Sequence, residues 1–172
     1  LARRFWHFFG VMTILTLFLV VPAQRTTMTT VALCIPVIVM DIARLFSRRW
    51  NKALTWVFKP LMRENERHRL AGLTFMLLGV CIIILIFPRR VVILSLMFLG
   101  VADPVASLIG IRYGRDKLVG DKSLQGSLAA FFACFLLSLG YFQLMGLMRE
   151  RQFIVCLLAG LVGAFSELVP VG

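Results

Sequence analysis

Asp103 is the residue that most needs explaining. It lies in VADPVASLIGIRYGRD, positions 101 to 116, inside an apolar run long enough to cross a bilayer. A carboxylate near the centre of a span costs about 2.5–3.5 kcal/mol on insertion scales, so such acids face a cavity, a cation or a base. Pro104 follows it and has no N–H, which frees a carbonyl one turn upstream and suits a polar cleft. Ala102, Ala106, Gly110 and Gly114 recur every four residues and give one smooth helix face, flanked by Asp103 and Ser107. Close helix packing accounts for the small residues. It does not account for the acid.

The run continues IRYGRDKLVGDKSLQGS. Gly114, Gly120 and Gly126 permit close backbone approach, while Arg112, Arg115, Lys117 and Lys122 bring positive charge. Ser123 and Ser127 place hydroxyls where the next helix begins, and exposed N–H groups at a helix start bind anions. The combination could cradle a polyphosphate. It is not a P-loop, because Asp121 stands after Gly120 where GxxxxGK[ST] requires Lys. A basic membrane loop with glycine turns is the plainer reading.

Further polar residues stand near the ends of apolar runs. Asp41 and Arg44, at i and i+3, are spaced to pair. Glu167 is either a second cation ligand or an ordinary interfacial acid. His7 follows Arg3 and Arg4 by one turn and reads first as an interfacial histidine. Glu64, Glu66 and Arg67 form a solvated charge run or face the same cleft, and His68 reads as surface.

These residues have to be positioned by membrane helices. The 172 residues are 60% hydrophobic with a mean hydropathy of +0.91, above the usual composition of a soluble domain. A span takes about 20 residues, so the chain has room for about six and little else. The expectation is one all-α integral membrane domain over 1–172, with spans near 5–24, 26–46, 70–87, 91–111, 124–148 and 152–170. Segment 47–69 mixes cations with Trp50, Leu54, Trp56, Val57 and Phe58, the pattern of an interfacial amphipathic helix broken at Pro60. Arg3-Arg4 and the apolar run that follows resemble a signal peptide, but Phe5 to Gln24 is long for one. A start at Leu1 and a stop at Gly172 suggest a piece of a longer chain.

The net charge of +11 sits in short blocks between apolar runs, which argues against nucleic acid and for anionic headgroups. Sorted by loop, 14 of the 19 Lys and Arg fall on one side and 5 on the other. That asymmetry predicts both termini, segment 47–69 and loop 112–123 in the cytoplasm, where nucleotides are abundant. The four cysteines form no CxxC pair and read as buried packing residues. No internal repeat of the inverted-transporter kind is visible.

Taken together, ADPVASLIGIRYGRDKLVGDKSLQGSLAAF resembles the signature of the polyprenol kinase family, which includes dolichol, phytol and CTP-dependent diacylglycerol kinases. The matching positions are Asp103, Ala106, Gly110, Gly114, Lys122, Ser123, Gly126 and Ser127. RRFWHFFG resembles the family's start and carries Arg3, Arg4 and His7, and LMRENERHRLAGLTFMLLG resembles an internal segment with Arg63, Glu64, Glu66, Gly72, Thr74 and Gly79. An acidic D-D-N-x-x-x-P segment that usually follows the last acid would lie beyond Gly172.

The resemblance implies phosphoryl transfer from CTP to the hydroxyl of a membrane lipid, with Mg²⁺ as cofactor, in a bacterial inner membrane or the endoplasmic reticulum. Asp103 and Glu167 would hold the metal. Gly110, Gly114, Arg115, Lys117, Ser123, Gly126 and Ser127 would bind the nucleotide, with Lys122 neutralising phosphate charge and His7, Glu64 or Glu66 orienting or deprotonating the alcohol. Phosphatidate cytidylyltransferases share part of this layout, but their P-G-H-G-G-x-x-D-R-x-D run is absent between the last two spans. A non-catalytic transporter subunit or scaffold is the remaining alternative. It would pair Asp103 with a buried cation and tolerate neutral replacements in the basic loop. Homo-oligomer formation is left open.

Overall fold

The computed structural model describes residues 2–57, 69–120, 122–147 and 149–169. Among them, helix dominates: α1 (Ala2–Val20), α2 (Ala23–Phe46), α3 (Arg48–Val57), α4 (Gly72–Ile86), α5 (Arg89–Tyr113), α6 (Leu124–Met145) and α7 (Gln152–Leu168). The expected all-α class needs one correction. Lys117–Val119 (β1) and Lys122–Ser123 (β2) pair as a two-stranded antiparallel ribbon inside the predicted loop. The turn between them forms because Gly120 adopts φ +55, a left-handed conformation that a glycine takes without steric cost.

Local chemistry sets the helix ends. Pro22 precedes the first residue of α2, and Phe87, held extended by Pro88, ends α4. Ser123 caps α6, its Oγ accepting the Gly126 N–H at 3.3 Å. Gly146 closes the other end of α6 at φ +63, with Gly146 N–H on the Gln143 carbonyl and Leu147 N–H on that of Phe142, a Schellman motif.

Among the described residues, three helices are long and apolar enough to cross a membrane: Gln24–Phe46, Arg89–Tyr113 and Leu124–Met145. His7–Val20, Gly72–Ile86 and Gln152–Leu168 are apolar but shorter. The 15 residues of α4 rise about 22 Å, against about 30 Å of hydrocarbon. The six expected apolar segments are therefore helical over most of their described residues, and of these α4, at 15 residues, is the one clearly shorter than a full span. α6 displays how the surface is used. Leu128, Phe132 and Leu136 are all exposed on one stripe, while Gly126, Ala130, Cys134 and Ser138 are buried on another. An outward stripe of large apolar side chains over a small-residue seam suits lipid as solvent.

The chain divides into two units, Leu1–Ile93 and Leu94–Gly172. In the first, α1 buries Val11, Leu15 and Phe18, and Cys34, Leu77 and Cys81 cluster between α2 and α4. All four cysteines are free and buried, as the sequence implies. Arg89 donates to the carbonyls of Phe18 and Val21, placing a cation at the C-terminal end of α1.

The Asp41–Arg44 pair expected from spacing is present, and it is larger than a pair. Arg44, 2% exposed, donates from Nε to Asp41 Oδ1 at 2.5 Å and from its other nitrogens to Asn51 Oδ1 and the Arg69 carbonyl. Asp41 Oδ2 accepts from Ala71 N–H at 2.9 Å and Thr74 Oγ at 2.5 Å. One buried ion pair thus ties the end of α2 to α3 and to the start of α4.

Candidate functional site

The second unit builds its site on the small-residue face of α5. Ala102 and Ala106 are buried there, and a Cβ on Gly126 would lie 3.2 Å from the Gly110 Cα and 3.3 Å from the Ala106 carbonyl oxygen. The backbones of α5 and α6 therefore touch, which only glycine at 110 and 126 allows. A side chain at Gly114 would collide with the Gly110 carbonyl and with the Ser123 side chain. The seam continues into α7, where Gly163 packs on Cys134 and Gly160 on Phe131.

On top of this seam sits the β ribbon. Arg112, Arg115 and Lys117 are exposed around it, and Lys122 is about one-third exposed. Lys122 Nζ donates to Glu167 Oε1 at 2.8 Å, joining β2 to the end of α7. Two residues expected to meet a nucleotide and its metal thus meet each other across 45 positions of sequence.

Gln125 organises the turn before the ribbon, and sequence reasoning missed it. Its Oε1 accepts the Arg115 and Asp116 N–H groups at 3.1 and 3.3 Å, and its Nε2 donates to Asp116 Oδ2 at 2.7 Å. The available signal was an amide in the first turn of a helix, able to reach back to the preceding loop.

Ser123 and Ser127 stand where the sequence places them, at the start of α6. Both side chains are buried: Ser123 Oγ takes the Gly126 N–H, and Ser127 Oγ donates to the Ser123 carbonyl at 3.3 Å. These two hydroxyls shape the helix start from within.

Asp103 lies on α5, seven residues before Gly110 and so about 10 Å further from the ribbon along the helix. It is exposed and directly follows a π-helical stretch, Phe98–Ala102. Its N–H bonds the Phe98 carbonyl, five residues back. Pro104 has no N–H to give. The carbonyls of Leu99 and Gly100, whose α-helical donors would be residues 103 and 104, both lose those donors. Such bulges recur at functional sites. Among the described residues no three His, Cys, Asp or Glu come together.

The structure therefore brings Gly110, Gly114, Lys122, Ser123, Gly126, Ser127 and Glu167 together, with Arg115 and Lys117 beside them and Asp103 on the same helix. His7 is half-buried in α1 of the first unit, and Glu64 and Glu66 lie outside the described residues.

The chain is 34% identical over 151 residues to CTP-dependent diacylglycerol kinase 1 of Schizosaccharomyces pombe, covering 80% of this chain and 67% of the yeast protein. It is 33% identical over 109 residues to an uncharacterised protein of Rickettsia prowazekii, covering 61% of this chain and 53% of that one. No family model matches, and no solved structure does. With a third of its residues shared over most of its length with a CTP-dependent diacylglycerol kinase, the chain belongs to the polyprenol and diacylglycerol kinase family.

Proposed function

We propose that this chain is a CTP-dependent lipid kinase, which moves the γ-phosphoryl group of CTP onto the hydroxyl of a membrane lipid. The observation that carries it is the match to the S. pombe enzyme over four-fifths of the chain. Diacylglycerol is the acceptor to assay first, because that relative is named for it; isoprenoid alcohols present the same hydroxyl on an apolar tail.

Phosphoryl transfer needs positioning and charge neutralisation more than covalent chemistry. Arg115, Lys117 and Lys122 would take the phosphates, held in place by the ribbon and by Gln125. Gly110, Gly114 and Gly126 would let those phosphates approach the backbone, while Ser123 and Ser127 fix the helix start beneath them. Asp103 and Glu167 would hold Mg²⁺, which when bound neutralises phosphate charge. Glu167 would then exchange Lys122 for the metal as Lys122 turns to phosphate. His7 and Glu66 carry over from the resemblance as candidates for orienting the alcohol.

Six spans with the ribbon in the cytoplasm is the topology we propose, supported by the 14-to-5 division of Lys and Arg. α3, with Trp50 and Trp56 exposed beside Arg48, Arg49 and Lys52, would lie in the headgroup layer on that side.

The test is CTP labelled at one phosphate or the other, supplied with Mg²⁺ and either diacylglycerol or phosphatidate to purified protein. γ-Label in lipid supports the kinase. α-Label in lipid makes it a cytidylyltransferase, and label in neither refutes both.

A further inference from the structure

The β ribbon carries two large apolar side chains in the open. Leu118 and Val119, neighbours in β1, are 48% and 44% exposed. Successive strand residues point to opposite faces, so protein fully covers neither face of β1. The base of the ribbon is secured to α6: Leu124 N–H bonds the Asp116 carbonyl at 2.8 Å, and Gln125 holds the Arg115 and Asp116 N–H groups. Two strands alone are marginal in water and need something to pack on. A hairpin that displays Leu and Val in bulk solvent is therefore an incomplete structure.

Two helices set the level at which the ribbon lies. It joins α5, which ends at Tyr113, to α6, which begins at Leu124, and both are long and apolar enough to cross a membrane. Tyr113 is exposed, and the Arg112 guanidinium lies 5.6 Å from its ring centre. A tyrosine beside an arginine at the end of a span suits the headgroup level, where each keeps its polar end wet and its apolar part in lipid. Three strand residues reach about 10 Å, and the headgroup layer is about 5–8 Å deep on each side. The ribbon cannot stand far from that layer in any direction.

Charge and surface both favour leaning into the layer. Arg112, Arg115 and Lys117 are exposed, while Asp116 is engaged by Gln125 Nε2 at 2.7 Å. Anionic headgroups attract such a cluster. Leu108 and Ile111 on α5, and Leu124 and Leu128 on α6, are exposed as well, so outward apolar side chains lead up to the ribbon along both helices. Leu118 and Val119 continue that surface. We propose that the ribbon is a wedge seated in the bilayer interface, with Leu118 and Val119 at the boundary of headgroups and acyl chains and its cations among the phosphates of anionic lipids. A nucleotide held on the ribbon then presents its phosphates at headgroup depth, beside the lipid hydroxyl. The wedge rests on the chain being an integral membrane protein and does not require the kinase reading.

The experiment uses the full chain, with its natural side chains, in nanodiscs of phosphatidylcholine and phosphatidylglycerol. Leucine and valine methyl groups are ¹³C-labelled, and the resonances of Leu118 and Val119 are identified by their loss in Leu118→Ile and Val119→Ile. Two paramagnetic agents are compared: a phospholipid carrying a nitroxide near the top of its acyl chain, and a gadolinium chelate confined to water. The nitroxide lipid should broaden both residues' methyl resonances about threefold more than the chelate does. In nanodiscs of phosphatidylcholine alone, that lipid effect should drop at least about twofold.

Broadening as strong or stronger with the chelate places the ribbon in water and overturns the proposal. Broadening by neither agent means that protein covers the two side chains, which overturns it as well. Methyls that the chelate reaches until CTP is added belong to a nucleotide cover, and the bilayer is then the wrong partner. A lipid effect undiminished without phosphatidylglycerol removes the part given to the cations. Because none of these readings needs turnover, they stand apart from the labelled-CTP test of the kinase.

Discussion

Replacing Gly126 by alanine tests whether α5 and α6 meet as closely as the seam requires. Any glycine-to-alanine change inside a helix gains about 1 kcal/mol in helix propensity. At Gly126 the new Cβ would lie 3.2 Å from the Gly110 Cα, 3.3 Å from the Ala106 carbonyl oxygen and 3.3 Å from Ser123 Oγ. Two of those three atoms are backbone and cannot rotate aside, so the helices must part by a few tenths of an ångström. Overpacking of this kind costs about 1–3 kcal/mol. Gly140 lies on the same helix with nothing within 4 Å of its would-be Cβ. It takes the propensity gain and none of the cost. Gly126→Ala should therefore be less stable than Gly140→Ala by about 1–3 kcal/mol, a factor of about 5 to 160 in the unfolding constant. Reversible denaturant unfolding in mixed micelles measures both variants against the parent. Lipid phosphorylation should fall in Gly126→Ala alone, because the separation also lifts Gly110 away from Ser123. Gly126→Ala as stable as Gly140→Ala would refute the close approach, and with it the positioning of the ribbon.

The other predictions concern polar contacts. Gln125→Ala removes the acceptor shared by the Arg115 and Asp116 N–H groups and should raise the KM for CTP about fivefold with little change in kcat, measured from initial rates. For Lys122 and Glu167, the pair itself contributes no more than about 1 kcal/mol, since Lys122 is partly in solvent. A double-mutant unfolding cycle with Lys122→Met and Glu167→Gln should find that small coupling, while Lys122→Met alone lowers kcat/KM for CTP by at least a hundredfold. An activity loss no greater than the coupling would return Lys122 to a structural role. Arg44→Met strands Asp41 without its buried partner and should cost about 3–5 kcal/mol in the same unfolding assay.

Part of the helical layout was legible because Pro88 and Ser123 mark helix ends where the sequence places them, whereas the expected spans 5–24 and 124–148 run past the ends at Val20 and Met145, next to Pro22 and Gly146. The apolar runs located all six hydrophobic helices. They overstated the reach of α4, because Leu70, Ala71 and Phe87 are apolar and fall in the expected span 70–87 yet are non-helical in the fold. Pro104 announced a freed carbonyl. It did not announce the second, since a shift to i+5 bonding leaves no mark in residue types. The ribbon escaped notice for a related reason: three residues against two carry too little alternation to be seen. Lys122 and Glu167 were each singled out, but their pairing depends on α7 returning beside β2, which no local pattern encodes. Ser123 was read as an anion ligand from the hydroxyl it carries. Its position just before a helix is also the signature of a cap, and the fold shows that cap.

The placement of charge and the placement of small residues answer two different demands of the proposed reaction. A triphosphate arrives from water and needs cations that can be reached, which the exposed ribbon offers. A lipid hydroxyl cannot leave the membrane, so the reacting oxygen and the metal must be met below that surface. The glycine and alanine seam makes this possible: because α5 and α6 touch at Gly110 and Gly126, the ribbon is anchored directly over the helix that carries Asp103. Wider side chains at 110 or 126 would move the cations away from the acid without altering either. The seam therefore sets the distance between the two halves of the site, and a variant that widens it should impair CTP use and metal binding unequally, the first before the second.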